Sequence, residues 1–222
     1  MKPEFILAIK DSSFEGKLDQ GMNSVSLNLF ALMSQKDLII GQREALETDP
    51  TYRQIIPYIC LAKTGENGET LFYPYVRTKV SGEERLKGNV SIGFGGHIDL
   101  ADVAHEDSII NLLETVGAAA ARELEEEVDL SGGGEESSVD LFDNGLLIDD
   151  SNEVGKVHIG VVLTAMIPKE INPSSKEEAL ELLEPMTARQ LLDSGLPLEN
   201  WTKIVLESVV DATAITGKVD AA

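Results

Sequence analysis

The strongest constraint on the fold is a stretch rich in alanine and glutamate over residues 114–130, closely followed by three consecutive glycines. Alanine and glutamate are good helix formers, whereas glycine ends helices. Asp107 or Ser108 can cap the N-terminus. The pattern predicts one helix over residues 108–128, preceded by an extended loop over residues 97–107. Strand-like segments flank this helix, so we expect it to pack on a sheet.

Three glutamates of the predicted helix share one face. At about 100° per residue, Glu123, Glu126 and Glu127 stand at positions i, i+3 and i+4. Two interpretations follow: a solvated acidic face, which is the commoner outcome for a charge run, or a set of oxygen ligands for Mg²⁺ or Mn²⁺. The neighbouring stripe, expected to be buried, comprises Leu113, Gly117, Ala121, Leu124 and Val128.

The remaining segments predict a mixed α/β chain. Residues 54–63 and 70–77 are expected to form a hairpin around the turn-like sequence TGENGE, and residues 88–98 a strand that enters the Gly95-Gly96 bend. Further strands are predicted over residues 139–149 and 154–168. Capping and periodicity then predict three helices, SKEEALELLE, TARQLLDSG with its cap at Thr187, and LENWTKIVLESVVDA.

Residues 1–50 give the weakest pattern. The sequences EFILAI and SLNLFALM predict one or two strands, and GQREALETD predicts a charged turn. We therefore expect a single domain over residues 1–222, with an N-terminal extension of undetermined role (1–50), a core (51–168) and C-terminal helices (174–213).

Composition excludes several classes of protein. Eighteen basic against 39 acidic residues give a net charge of −21, which disfavours general binding to nucleic acids or to anionic membranes. No apolar run approaches the roughly 20 residues of a membrane span, and the N-terminus lacks a typical secretory signal. Cys60 is the single cysteine, so neither an internal disulfide nor a cysteine-based zinc cluster is available. We expect a cytoplasmic protein.

A longer motif surrounds the three glutamates. Glu114, seven residues, Arg122-Glu123-Leu124, one residue, Glu126-Glu127 and Leu130 are in register with the pattern G-x5-E-x7-R-E-U-x-E-E-x-G-U, where U is aliphatic. This segment resembles the Nudix box. Two positions depart from it, because Ser108 and Asp129 stand where the box has glycine. Gly96 lies twelve residues before Ser108, which indicates a 12-residue insertion around residues 99–110.

The resemblance extends over roughly residues 40–210, to a bacterial and phage-like Nudix subgroup of about 200 residues. It implies a Nudix-type α/β/α sandwich with a mixed sheet, and hydrolysis of a nucleoside diphosphate linked to another group. Glu123, Glu126 and Glu127, with the Gly96 carbonyl, would bind Mg²⁺ or Mn²⁺. Arg122 would orient a box carboxylate.

Additional site residues are expected outside the helix. Arg77, Arg85 and His97 are candidates for substrate binding, while Glu114 and Glu153, the latter with Asp149 and Asp150 nearby, are candidates for an additional acid. His158 lies inside an apolar strand and is expected in the core. A non-catalytic nucleotide sensor or an interaction module is the alternative function, and a homodimer stays open.

Overall fold

The structure is a computed structural model that describes residues 3–77, 88–131 and 139–219. The helices are α1 Leu27–Ser34, α2 Arg43–Leu46, α3 Leu112–Glu127, α4 Ala188–Asp193 and α5 Asn200–Val219. The strands are β1 Phe5–Lys10, β2 Gly21–Asn23, β3 Leu38–Gln42, β4 Tyr52–Thr64, β5 Thr70–Phe72, β6 Tyr75–Arg77, β7 Val90–Ser91, β8 Gly93–Phe94, β9 His105–Glu106, β10 Ile109–Ile110, β11 Val128–Asp129, β12 Asp140–Ile148, β13 His158–Met166, β14 Ser174–Ser175 and β15 Leu180–Leu182.

The chain divides into two compact units. The first comprises residues Met1–Ile59, Phe94–Glu125 and Phe142–Leu163, and the second comprises Cys60–Gly93, Glu126–Leu141 and Thr164–Ala222. Among the described residues, none of the helices combines the length and the apolar character that a bilayer crossing needs.

A large sheet organises the first unit. Its strands follow the order β2, β12, β13, β4, β1, β3. Strand β1 is antiparallel to both of its neighbours, with Ala8 opposite Ile39 of β3 and opposite Gln54 of β4. Four successive residues of β1, Ile6 to Ile9, are at most 1% exposed. Burial on both faces explains why the apolar run EFILAI forms a central strand, as predicted.

The second predicted strand of the N-terminal segment is wrong. Residues Leu27–Ser34 form helix α1, and the Ser26 hydroxyl accepts a hydrogen bond from the backbone N–H of Leu29. This is an N-cap, which satisfies a donor that a helix would otherwise leave unpaired. Phe30 is fully buried and packs on Phe14, with ring centroids 5.7 Å apart. The predicted charged turn contains the end of β3 and the short helix α2.

Helix α3 begins four residues later than predicted. Asp107 and Ser108 have φ values of 48° and 66°, which a right-handed helix does not allow. They form the turn of the β9–β10 hairpin, and Asn111 caps the helix by accepting from the Glu114 N–H at 3.3 Å. The residues before this hairpin include a short 3-10 helix over Leu100–Asp102.

The buried stripe of α3 is rotated from the predicted one. Leu113 is 39% exposed and Ala121 is also exposed. The apolar residues of α3 that are buried in the first unit are Leu112, Val116, Ala119, Ala120 and Leu124. The rotation places Glu123, one turn after Ala119 and Ala120, at the edge of the buried face.

The second unit contains the predicted hairpin. Strand β5 pairs antiparallel with the end of β4, with Ala62 opposite Phe72. Residues 75–77 leave this hairpin and form β6, which lies between β15 and β7 in a separate three-stranded sheet. Cys60 is fully buried, and Tyr58, Phe72, Tyr73 and Phe94 are each at most 6% exposed.

The C-terminal region corrects one helix and confirms two. The segment SKEEALELLE is not helical, because Leu180 and Leu182 of β15 pair with Arg77 and Tyr75 of β6. Thr187 caps α4 in a reciprocal capping box with Gln190, as the sequence predicts. Helix α5 begins at Asn200, and the Thr202 hydroxyl accepts a hydrogen bond from the Ile92 N–H.

Candidate active site

The site begins at the Gly95-Gly96 bend of the first unit. Gly95 has φ 137°, and a Cβ atom there would overlap the carbonyl oxygen of Pro57. A Cβ atom at Gly96 would lie 2.6 Å from Oε1 of Glu123. Glycine permits both close approaches, so the bend brings the backbone directly against Glu123, the first of the three glutamates.

Arg122 holds that glutamate in place. Its Nη1 donates to Glu123 Oε1 at 2.9 Å, and its Nη2 donates to the carbonyl oxygen of His97 at 3.0 Å. The same guanidinium forms a bidentate pair with Asp102, through Nε to Oδ1 at 3.0 Å and Nη2 to Oδ2 at 2.9 Å. Hydrogen bonding to Asp102, followed by the charges of Glu123 and Asp102, raises the pKa of Arg122. These contacts place Arg122 against the Glu123 carboxylate, and its orienting role in the site stays a prediction.

Asp102 is the residue that sequence reasoning missed, and it corrects the register of the box. Gly96 and Asp102 are separated by five residues, which is the spacing of G-x5-E with aspartate in place of glutamate. Asp102 is 8% exposed and pairs with Arg122, whereas Glu114 is exposed on the first turn of α3. The additional residues therefore follow Asp102 and include the β9–β10 hairpin.

The three box glutamates differ in exposure along α3. The Glu123 side chain is 12% exposed, Glu126 is exposed and Glu127 is 8% exposed. Glu127 ends the helix, and its carbonyl oxygen accepts from the Lys176 N–H at 2.9 Å. Within the described ranges, no cluster of three or more His, Cys, Asp or Glu side chains is assembled around a metal position.

His97 belongs to a polar cluster on the first unit. Its Nε2 lies 2.7 Å from Oε1 of Gln54 on β4 and 3.5 Å from Nε2 of His158, the first residue of β13. His158 is only half-buried, so the prediction that it lies in the core is wrong. Burial, then the charges of Arg43 and His158, lower the pKa of His97 to about 3. His97 is therefore neutral near pH 7.

The two predicted arginines of the substrate site have different outcomes. Arg77 lies in the second unit, where its Nη2 donates to the Tyr75 hydroxyl at 3.0 Å and its Nε lies 3.8 Å from Glu199. Arg85 lies outside the described residues. Arg77 is thus placed beside a carboxylate and a tyrosine of its own unit.

The acids nominated from the loop before β13 occupy distinct environments. Glu153 is exposed and pairs with Lys156 at 2.6 Å. Asp150 pairs with Arg53 at 2.9 Å and accepts from the Gln20 amide at 2.6 Å. Asp149 is 5% exposed, and its Oδ1 accepts from the Ser151 N–H at 3.1 Å. Two of the three acids are therefore engaged with basic side chains.

Comparison with known proteins identifies the fold. No protein-family profile matches the sequence. Protein YmaB of Bacillus subtilis (strain 168) is 29% identical over 213 residues, which cover 93% of this chain and 97% of YmaB. The crystal structure of Tm1382, provisionally assigned as a Nudix hydrolase, matches with a TM-score of 0.71 at 23% identity and covers 94% of this chain and 99% of Tm1382. The chain thus has the Nudix fold, which confirms the predicted α/β class with a mixed sheet.

Proposed function

We propose that this chain is a Nudix hydrolase that uses Mg²⁺ or Mn²⁺ to cleave a diphosphate linkage in a nucleoside diphosphate joined to another group. The observation that carries the proposal is the Arg122 network. The guanidinium lies between Asp102 and Glu123 and binds the His97 carbonyl. A solvated run of surface charges does not require a largely buried residue such as Asp102 to hold Arg122 beside Glu123.

The residues fit a hard divalent cation in their chemistry. Glu123, Glu126 and Glu127 supply carboxylate oxygens, which Mg²⁺ and Mn²⁺ prefer. Gly96 has no side chain, and a Cβ there would occupy the space against the Glu123 carboxylate. We assign the three glutamates and the Gly96 carbonyl as the ligands. When bound, the metal would neutralise the diphosphate and lower the pKa of the attacking water.

The chain's own residues then have separate tasks. Arg122 holds the Glu123 carboxylate in one orientation, and Asp102 holds Arg122, so that the ligand is positioned before the cation arrives. We assign the general base to the glutamate set, because Glu153 is paired with Lys156. The net charge of −21 repels a polyanionic substrate. Substrate binding should therefore depend on the cation.

The test compares glutamate variants of one helix. Glu123→Gln, Glu126→Gln and Glu127→Gln each remove one charge while keeping shape, and Glu125→Gln is the matched control on the same helix, outside the ligand set. Nucleotide sugars, dinucleotides and nucleoside triphosphates are screened with Mg²⁺ and with Mn²⁺, and phosphate is measured after a coupled phosphatase. We expect turnover to fall on the order of 100-fold or more in the three variants, since changes beyond the ligand shell alone cost 10–100-fold.

Thermal unfolding gives a second readout that does not require the substrate. Added Mg²⁺ or Mn²⁺ should raise the melting temperature of the wild type and of Glu125→Gln more than that of the three ligand variants, because binding to the folded state stabilises it. Equal turnover and equal metal response in all five proteins would refute the proposed site. Nucleotide binding without turnover would favour a sensor.

A further inference from the structure

A glutamine occupies a core position of the large sheet in the first unit. Gln54 lies on β4, opposite Ala8 of β1, and both residues are fully buried. The Nε2 of Gln54 has no hydrogen-bond partner among the described residues. Because a buried amide that lacks some of its hydrogen bonds opposes folding, packing does not explain why a glutamine stands here.

The oxygen of this amide holds the ring of His97. Gln54 Oε1 lies 2.7 Å from His97 Nε2, and a carbonyl oxygen can only accept, so His97 Nε2 carries the proton and donates it. His158 is consistent with this tautomer. Its Nδ1 donates to the carbonyl oxygen of Val154 at 2.6 Å, which leaves its Nε2 as a second acceptor, 3.5 Å from His97 Nε2. The N–H of His97 is thus directed at Gln54 and held in one orientation.

The backbone of His97 leads from this contact to the proposed metal site. Its carbonyl oxygen accepts from Nη2 of Arg122 at 3.0 Å, and Nη1 of Arg122 donates to Glu123 Oε1 at 2.9 Å. Gly96 directly precedes His97, so the Gly96 carbonyl and the His97 N–H belong to one rigid peptide plane. A movement of His97 would therefore turn the Gly96 oxygen and release the guanidinium that contacts Glu123.

Strand β4 holds the glycine bend on both of its sides. Two consecutive glycines permit many backbone conformations, so the bend needs fixed points before and after it. Before it, Gly95 lies against the carbonyl oxygen of Pro57. After it, the His97 ring is held by Gln54. Both holding residues belong to β4, which is rigid because it is paired between β13 and β1.

We propose that Gln54 is a positioning residue that acts on the metal site through His97. Its Oε1 holds the His97 ring, and His97 in turn fixes the Gly96 carbonyl and the guanidinium that orients Glu123. This inference rests on the proposed function and assigns no metal to the amide or to either imidazole. The unpartnered Nε2 is then stability that the chain gives up for the geometry of its site.

The experiment measures Mn²⁺ affinity from the loss of the free-ion signal in electron paramagnetic resonance, which requires no substrate. Gln54→Met keeps the length of the side chain and removes the acceptor, whereas Gln54→Glu keeps an acceptor oxygen. Thr115→Val is the matched control. Thr115 is also fully buried, lies on α3 and accepts from the Ala104 N–H at 3.0 Å, but it is not part of the hydrogen bonds that join Gln54 to Glu123.

We expect Gln54→Met to weaken Mn²⁺ binding about 10–100-fold, as the loss of a residue that supports a metal ligand does. Gln54→Glu should recover most of the affinity. Without metal, Gln54→Met loses one hydrogen bond but also an unpartnered amide, so its melting temperature should stay within about 4 °C of the wild type. Thr115→Val should show the reverse pattern, a lower melting temperature with unchanged affinity. Equal affinity of Gln54→Met and the wild type would overturn the proposal.

A second variant breaks the same contact from the other side. His97→Phe lies on the half-buried bend, so it tests the contact even if Gln54→Met fails to fold, and an unchanged Mn²⁺ affinity would again overturn the proposal. Residues that act as a unit have non-additive effects. The Gln54→Met/His97→Phe double variant should therefore bind no more weakly than the weaker single variant, and multiplied losses would show that Gln54 does not act through His97.

The outcome for Gln54 is distinguishable from the outcome for the proposed function. A wild type that binds Mn²⁺ but hydrolyses none of the nucleotides would refute the proposed hydrolysis, while the affinities of the variants would still decide the role of Gln54. Absence of Mn²⁺ binding by the wild type would overturn both.

Discussion

Replacing Asp102 with alanine tests the corrected register of the box. Asp102 receives hydrogen bonds from Nε and Nη2 of Arg122 and from the Asp99 N–H. Removing one partner of a buried ion pair costs roughly 3–5 kcal/mol. Arg122 keeps Glu123 and the His97 carbonyl, and its side chain is 27% exposed. We therefore expect the lower end of that range, about 3 kcal/mol of unfolding free energy.

The assay is thermal unfolding followed by circular dichroism. For a chain of this length 1 kcal/mol corresponds to roughly 2–4 °C, so Asp102→Ala should unfold about 6–12 °C below the wild type. Asp102→Glu restores the carboxylate and should recover more than half of the loss. If Arg122 positions Glu123 for catalysis, turnover of Asp102→Ala also falls by about 10–100-fold.

Glu114→Ala is the matched control, because it removes the carboxylate that the contiguous motif would assign to the same position. Glu114 is exposed, and surface substitutions usually stay within about 0.5 kcal/mol. The reasoning fails if Glu114→Ala lowers the melting temperature as much as Asp102→Ala. It also fails if Asp102→Ala unfolds within about 2 °C of the wild type, because such a shift corresponds to a loss of no more than about 1 kcal/mol.

Three further outcomes are expected. Arg53→Met should cost about 1–2 kcal/mol in urea unfolding, because the 9% exposed Arg53 side chain loses two ion pairs, while the carboxylates left behind are 43% and 37% exposed and can be hydrated. An unchanged midpoint would contradict this. Burial raises the pKa of the Cys60 thiol. A thiol reagent at pH 8 should therefore modify Cys60 only at the rate of unfolding, and fast labelling of the native protein would contradict this prediction. Gly96→Ala places a Cβ 2.6 Å from Glu123 Oε1. Displacement of this carboxylate should cut the proposed turnover about 100-fold, while the melting temperature changes little. Normal turnover would argue against Glu123 as a ligand.

Local signals in the sequence were sufficient for the elements that depend on local chemistry. The run at residues 114–130 contains most of α3, and Thr187 predicts the cap of α4, because capping and helix propensity act within one or two turns. The apolar runs of β1, β4, β12 and β13 predict strands. Spacing alone also placed Arg122 and the three glutamates on one helix.

Elements that depend on a distant partner could not be predicted in this way. Residues 175–184 have a helical pattern, yet Leu180 and Leu182 pair with β6, more than 100 residues earlier in the chain. Such pairing outweighs propensity, which differs by less than about 1 kcal/mol per residue. The residue types at Ser26, Asp107 and Ser108 suit caps and turns. The sequence alone did not predict that Ser26 caps a helix or that Asp107 and Ser108 form a hairpin turn.

The site shows the same division between local and tertiary information. The sequence by itself determined that the three glutamates after Arg122 share one face of a helix. Residues at positions i, i+3 and i+4 lie on the same side at 3.6 residues per turn. It could not decide which acid partners Arg122, since a loop can lengthen by many residues at little entropic cost and thereby shift the apparent spacing. Only the tertiary structure brought Asp102 to Arg122, and His97 to Gln54 and His158, because these contacts join segments separated by 20 to 61 residues.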